Sequence, residues 1–269
     1  MTTTKKKILL TNDDGIRSAG ILSLYKELSK FADVTIISAE TQRSAEGKAI
    51  TINTIIRKEK VHITDSIIGY SITGTTADAV ILGLNTLDEG PFDFVVSGIN
   101  QGLNISNHIV LTSGTCAACF EASFYNVPAV AFSMHVSEKN FFVSPDHKTF
   151  QKAAEVSAQI VRELLVRNYP KNLAFVNVNY PQEVTLKTPK VTTYLTNRFL
   201  DFKPEQRKDP RNNDYYFVWG DIIKDIPPGS DAEAIMKNTI SISPVTANLN
   251  LNNGSENESF IENLIEKMK

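Results

Sequence analysis

An α/β fold built on a mostly parallel sheet is what this sequence predicts, and three observations predict it. Short β-rich apolar runs recur along the first two thirds of the chain. Amphipathic helical segments separate them, the alternation expected of a parallel sheet covered on both faces. Apolar residues make up 42% of the 269 residues against 22% charged, the balance of a chain with a real core.

Lys7–Thr11 (KILLT) reads as the first strand and ends in polar residues. Ile21, Leu24, Tyr25 and Leu28 then recur at i, i+3, i+4 and i+7, the spacing of a helix with one buried face. Val34–Ser38 (VTIIS) is a second strand, followed by a polar loop through Lys48. Ala49–Ile56 and Val61–Ile72 read as strands of a hairpin-like insertion, Ala77–Leu87 as a helix, and Phe92–Ser97 (FDFVVS) as another buried strand. Residues 98–112 form a Gly/Asn-rich loop, Gly114–Tyr125 a helix rich in small residues, and Ala129–Ser133 a strand. Ser144-Pro145 marks a helix start, with a capping hydroxyl and proline at the first helical position. That helix turns Ala153, Val156, Ile160, Val161, Leu164 and Leu165 toward the core, and Leu173–Val178 follows as a strand.

Beyond residue 180 the pattern changes. Val191–Asn197 and Tyr215–Gly220 are β-rich, but the stretch between them (KPEQRKDPRNND) is strongly polar and suits an exposed hairpin arm. Phe260, Ile261, Leu264, Ile265 and Met268 close the chain as an amphipathic helix. The division expected is an α/β domain over 1–180 and an extension over 181–269.

A formal net charge of −2 supplies no global positive field, so neither nucleic acid nor an anionic membrane is an expected partner. A small anionic substrate must then be held by local means. No run approaches the length of a membrane span, the Met-Thr-Thr-Thr-Lys-Lys-Lys start lacks the apolar stretch of a signal peptide, and two cysteines make no disulfide framework. The expected location is the cytoplasm.

In open α/β sheets ligands bind outside the carboxyl ends of the strands. Three polar loops fall there: Asn12-Asp13-Asp14-Gly15, Arg43-Ser44, and Ser97–Asn104. Adjacent carboxylates repel one another unless a cation sits beside them, and carboxylate, hydroxyl and amide oxygens are the ligand set of Mg²⁺ or Mn²⁺. An Asp-Asp-Gly alone is compatible with a simple turn; joined to the two other loops it points to a metal site. Ser113-Gly114-Thr115 precedes a helix, whose first N–H groups form a ready anion site, although plain capping would use the same residues. Cys116 and Cys119 have redox-type spacing, but small apolar neighbours make them better explained as buried hydrophobes. The four histidines show no ligand spacing.

The ordered series ILLTNDDGIRSAG (8–20), RSAEGKAIT (43–51), GTTADAV (74–80), VVSGINQGLN (95–104) and SGT (113–115), with NVNYP from Asn177 and SDAEAIMKNTISISPV from Ser230, resembles the SurE family of survival-protein nucleotidases. The resemblance implies a Rossmann-like three-layer α/β/α domain with a C-terminal extension exchanged between subunits of a homodimer or homotetramer. It implies hydrolysis of nucleoside monophosphates at 5′ or 3′ positions with one Mg²⁺ or Mn²⁺ per subunit. Asp13, Asp14, Ser44 and Asn100 match its metal ligands; Asn12, Asn104, Ser113, Gly114 and Thr115 match positions lining the phosphate site. Asp13 is expected nearest the attacking water and Asn12 in a positioning role. The chain departs from the family pattern at Thr76, Leu111-Thr112, Cys116 and Cys119, none of them a proposed ligand. Two rival readings fit less well. A phosphatase acting through an aspartyl-phosphate uses two aspartates separated by one residue, and a receiver-like phosphate-binding module needs an acceptor aspartate where FDFVVS ends in Ser-Gly-Ile-Asn.

Overall fold

Side chains alternate along β1 (Lys7–Thr11), so that Ile8 and Leu10 enter one hydrophobic cluster and Leu9 the other. The same alternation runs through β5 (Phe94–Gln101), where Phe94 and Val96 face one cluster and Val95 the opposite one. Both faces of the central strands are therefore buried, which demands a helical layer on each side. The computed structural model describes residues 5–137, 146–250, 264–266 and 268. The Ser144-Pro145 helix start lies outside them, as do Phe260 and Ile261 of the terminal helix.

Among the described residues the main sheet has nine strands. Six run parallel in the spatial order β4 (Ile68–Ile72), β2 (Asp33–Ala39), β1, β5, β6 (Ala129–Met134) and β7 (Phe175–Tyr180). β3 (Lys58–His62) adds antiparallel at one edge. At the other, β11 (Ile240–Val245) lies antiparallel on β7, and β8 (Lys190–Thr192) lies parallel on β11. Helices α1 (Ala19–Leu28) and α5 (His147–Leu165) pack together on one face; α2 (Thr76–Thr86) and α4 (Gly114–Phe124) cover the other. This is the three-layer α/β/α arrangement read from the sequence.

The chain leaves β1 toward β2 on one side and returns to place β5 on its other side. The β1/β5 gap is thus the point where strand order reverses, and the crevice beyond its carboxyl ends is where such sheets bind ligands.

Several elements differ from the sequence reading. Ala49–Ile56 is not a strand: residues 40–57 form an irregular strap. Two of the backbone groups that a strand would pair with a neighbour are taken here by side chains. The Thr75 hydroxyl donates to the Ala49 carbonyl at 2.7 Å, and Asp78 accepts the Thr51 N–H at 3.1 Å. Val61–Ile72 is broken by a turn into β3 and β4, whose outer member carries exposed Lys58, Glu59 and Lys60, charges that suit a sheet edge. The loop expected over 98–112 holds the last four residues of β5 and a short helix, α3 (Ser106–Thr112). Val191–Asn197 contributes strand only through Thr192.

Leu200–Lys208 and Asp214–Ile222, here β9 and β10, form a separate two-stranded antiparallel arm. Tyr216, Phe217, Val218 and Trp219 are exposed along it.

Candidate active site

The acidic pair occupies the turn between β1 and α1. Gly15, at φ +95°, adopts a backbone conformation that L side chains avoid, and its Cα face lies against Thr41 and Gln42. Asn12 is fully buried in the same turn. Its amide nitrogen donates to Ser18 Oγ at 2.5 Å, and its amide oxygen accepts from Ser38 Oγ at 2.7 Å. The Asn12 side chain thereby ties the acidic turn to the cap of α1 and to β2.

Asp13 is 5% exposed and points at the first turn of α4. Thr115 Oγ1 donates to its Oδ1, and the N–H groups of Gly114 and Thr115 face it as well. Burial raises its pKa, while Thr115 and those amides pull the other way. The carboxyl of Asp14 is pushed up to about 7, first by burial and then by the charge of Asp13; the Gln101 N–H, 2.9 Å from its Oδ2, opposes the shift. Two neighbouring acids held this way resist carrying two charges, the condition that a divalent cation relieves.

Ser44 and Asn100 each stand one residue from a backbone N–H that grips the pair. The Arg43 N–H donates to the Asp13 carbonyl at 2.7 Å, and the Gln101 N–H is the one bound to Asp14. Ser44 is exposed, and its hydroxyl accepts from Gln42 Nε2 at 2.9 Å. Asn100 lies at the end of β5, opposite Ser133 of β6, with its amide donating to the Gly102 carbonyl at 2.9 Å. Arg43 and Gln101 thus bring the chain at Ser44 and Asn100 beside the acidic turn, and carboxylate, hydroxyl and amide oxygens are the kind of donor set that fits a hard divalent cation.

Gly114 has no room for a side chain, since an added Cβ would lie 2.7 Å from Asp13 Cβ and 2.9 Å from its Oδ2. Gly114→Ala is therefore expected to displace the Asp13 carboxylate and cost activity on the order of 10²-fold, the scale seen when a site group is misplaced by about 1 Å. Steady-state phosphate release beside a thermal melt checks this.

Ser113 caps α4, its hydroxyl accepting from the Cys116 N–H at 3.1 Å. Asn104 is buried among residues of β6 and β7. Its amide donates to Ser133 Oγ at 2.8 Å, its N–H to Asn179 Oδ1 at 2.8 Å, and its carbonyl accepts from Asn177 and Asn179 at 2.8 and 3.1 Å. These supporting residues were not singled out individually from the sequence. Their signal was present in Asn177-Val-Asn179, where polar residues fill alternate positions of a fully buried strand. Cys116 and Cys119 are fully buried within α4, and burial pushes the Cys116 thiol up to about 12 and Cys119 well above its ordinary value, so both sit there as small hydrophobes. His108 belongs to α3 and meets the ring of Phe202 edge-on at 5.3 Å. Among the described residues no helix is long and apolar enough to cross a membrane.

Comparison with known proteins gives the family and the fold. The family described as "Survival protein SurE" matches residues 8–201. A protein of Methanocella arvoryzae named "5'-nucleotidase SurE" is 36% identical over 244 residues, covering 89% of this chain and 91% of that protein. Another of the same name from Methanococcoides burtonii is 37% identical over 245 residues, covering 90% and 93%. The crystal structure of the Sure protein from Aquifex aeolicus superposes with a TM-score of 0.79 at 26% identity, over 95% of this chain and 99% of that one. Matched by that family model over most of its length and more than a third identical to these relatives, the chain belongs to the SurE family.

Proposed function

We propose that this protein is a divalent-cation-dependent phosphomonoesterase that releases phosphate from nucleoside monophosphates, at 5′ and 3′ positions. The observation that carries the reading is the pair of buried Asp13 and half-buried Asp14 at the strand-order reversal, with the first amides of α4 aimed at Asp13. The name of the Methanocella relative supports the nucleotide substrate.

Asp13, Asp14, Ser44 and Asn100 would hold one Mg²⁺ or Mn²⁺. Such an ion, when bound, neutralises phosphate charge and acidifies a water. Asp13 is the protein group assigned to the attacking water, since its carboxylate is fixed by Thr115 and cannot swing away. Ser113, Gly114 and Thr115 line the phosphate site at the positive end of α4, with the Ser113 hydroxyl assigned to phosphate oxygens and Gly114 and Thr115 holding Asp13 beside them. Asn104 shapes the wall of the phosphate pocket through its bonds to β6 and β7, and Asn12 keeps the acidic turn in register. Residues 1–180 are assigned to the catalytic domain and 181–269 to the extension, whose β8 and β11 continue the same sheet and whose arm is the part through which subunits would exchange in a homodimer or homotetramer. The exposed Tyr216, Phe217 and Trp219 of the arm support this, because a large exposed aromatic patch marks an interaction surface.

Phosphate release from 5′-AMP and 3′-AMP, before and after EDTA treatment and with Mn²⁺ or Mg²⁺ restored, tests the reading. Turnover is expected with both nucleotides, to vanish with chelator and to return with the cation. Activity indifferent to chelator would overturn it.

A further inference from the structure

The strap over residues 40–57 has no regular structure, yet it carries Ser44. An irregular segment of this length is ordered at a cost in chain entropy, and long ordered loops usually serve a function. It is held at spaced points. Arg43 N–H meets the Asp13 carbonyl at 2.7 Å, and Gly47 N–H meets the Thr112 carbonyl, just before α4, at 2.9 Å. Between these points Ala45 and Gly47 take left-handed backbone conformations, at φ 60° and 59°, so the Ser44 stretch is tightly folded. Ala49 and Thr51 are bound farther along to Thr75 and Asp78 at the start of α2.

Lys48 follows this fold directly. Its ammonium pairs with the carboxylate of Glu121 on α4, a side chain only 7% exposed, and lies 5.2 Å from the centre of the Phe124 ring. The same helix binds Asp13 through Thr115 in its first turn. One rigid element therefore grips the acid at one end and the strap at the other. With the glutamate buried and an aromatic ring beside the ammonium, solvent and salt screen this pair less than a surface ion pair.

We propose that the Lys48–Glu121 ion pair is a positioning device for the cation site, holding the Ser44 stretch of the strap against Asp13-Asp14. The proposal rests on the metal-dependent reading above. Neither residue touches the reacting atoms; both act through Ser44.

Mn²⁺ titration followed by electron paramagnetic resonance, on the full-length protein without substrate, tests it. Wild type is compared with Lys48→Met, Lys48→Arg and the double variant Lys48→Met/Glu121→Gln, each also melted in EDTA. Lys48→Met is expected to weaken Mn²⁺ binding about tenfold, as outer partners of metal ligands do. The double variant, which strands no buried charge, is expected to melt near wild type and still bind about tenfold more weakly. Lys48→Arg restores the affinity, and kcat at saturating Mn²⁺ stays unchanged throughout. Wild-type affinity in the double variant would overturn the proposal, whether or not Lys48→Met folds, by showing that only a stranded carboxylate mattered. If wild type itself bound no Mn²⁺, the metal-dependent reading would fall first and this inference with it.

Discussion

Asp13→Asn is expected to lower kcat for nucleotide hydrolysis by at least about 10³-fold, more than the 10–100-fold typical of outer metal partners. The fold is expected to survive. An asparagine Oδ1 accepts the Thr115 hydroxyl as the carboxylate does, and the substitution removes a charge that is 5% exposed. Its melting temperature in EDTA should stay near that of wild type, removal of the buried charge offsetting the Gly114 and Thr115 N–H bonds that the new NH2 cannot accept, while the stabilisation conferred by added Mn²⁺ disappears. Circular dichroism melts beside single-turnover assays separate these effects. A variant that melts normally and turns over at more than a tenth of the wild-type rate would remove Asp13 from the chemistry.

The second large effect lies in the pH dependence of the metal-free protein. Asp14 has its pKa raised from 3.8 to about 7 and Asp13 is raised as well, so the folded state binds protons that the unfolded state does not. Stability from such groups is fully present below the unfolded pKa and is lost as pH rises through the folded one. The EDTA-treated protein is thus expected to gain stability as pH falls from about 8 to about 5, at roughly 1.4 kcal/mol per pH unit for each proton taken up. Asp231, also raised by burial, adds the same sign; Glu89 and Asp93, whose pKa values are lowered, contribute loss only at more acid pH. Asp14→Asn is expected to flatten the slope, and saturating Mn²⁺ to reverse it by holding both carboxylates ionised. Denaturant melts across this range check the sign, and a metal-free protein most stable at the alkaline end would contradict it.

Much of the fold was legible in the chain because its signals are local. KILLT and VTIIS sit in strands buried on both faces, and the 3.6-residue spacing around Ile21 is that of α1. The acidic pair and the Ser-Gly-Thr cap were visible for the same reason. Segments were misread where composition and partner disagree. The isoleucines at 50, 52 and 55 look like strand residues, but they are exposed on the strap, whose hydrogen bonds go to Thr75 and Asp78. The strand read from Val61 begins three residues earlier, in the exposed Lys58-Glu59-Lys60 run at the sheet edge.

Helix α3 shows the limit most clearly. Ile105 offers no capping side chain, and the first N–H groups of the helix are met instead by Asp231 Oδ2 at 2.7 Å, the Thr196 carbonyl at 2.7 Å and the Asn197 carbonyl at 3.2 Å. Those partners lie far along the chain, so no window around residue 106 could have revealed the helix. By itself the sequence determined how strands and helices alternate over most of the sheet and which oxygen-bearing side chains follow β1, β2 and β5. Tertiary structure alone decided how those loops meet: that Asp13 lies on Gly114 and Thr115, that Gln101 rather than a neighbour grips Asp14, and that Lys48 reaches Glu121. The reason is physical. Propensity and periodicity act over a few residues, whereas hydrogen bonds and ion pairs between loops form only once the sheet has brought its strand ends to one rim.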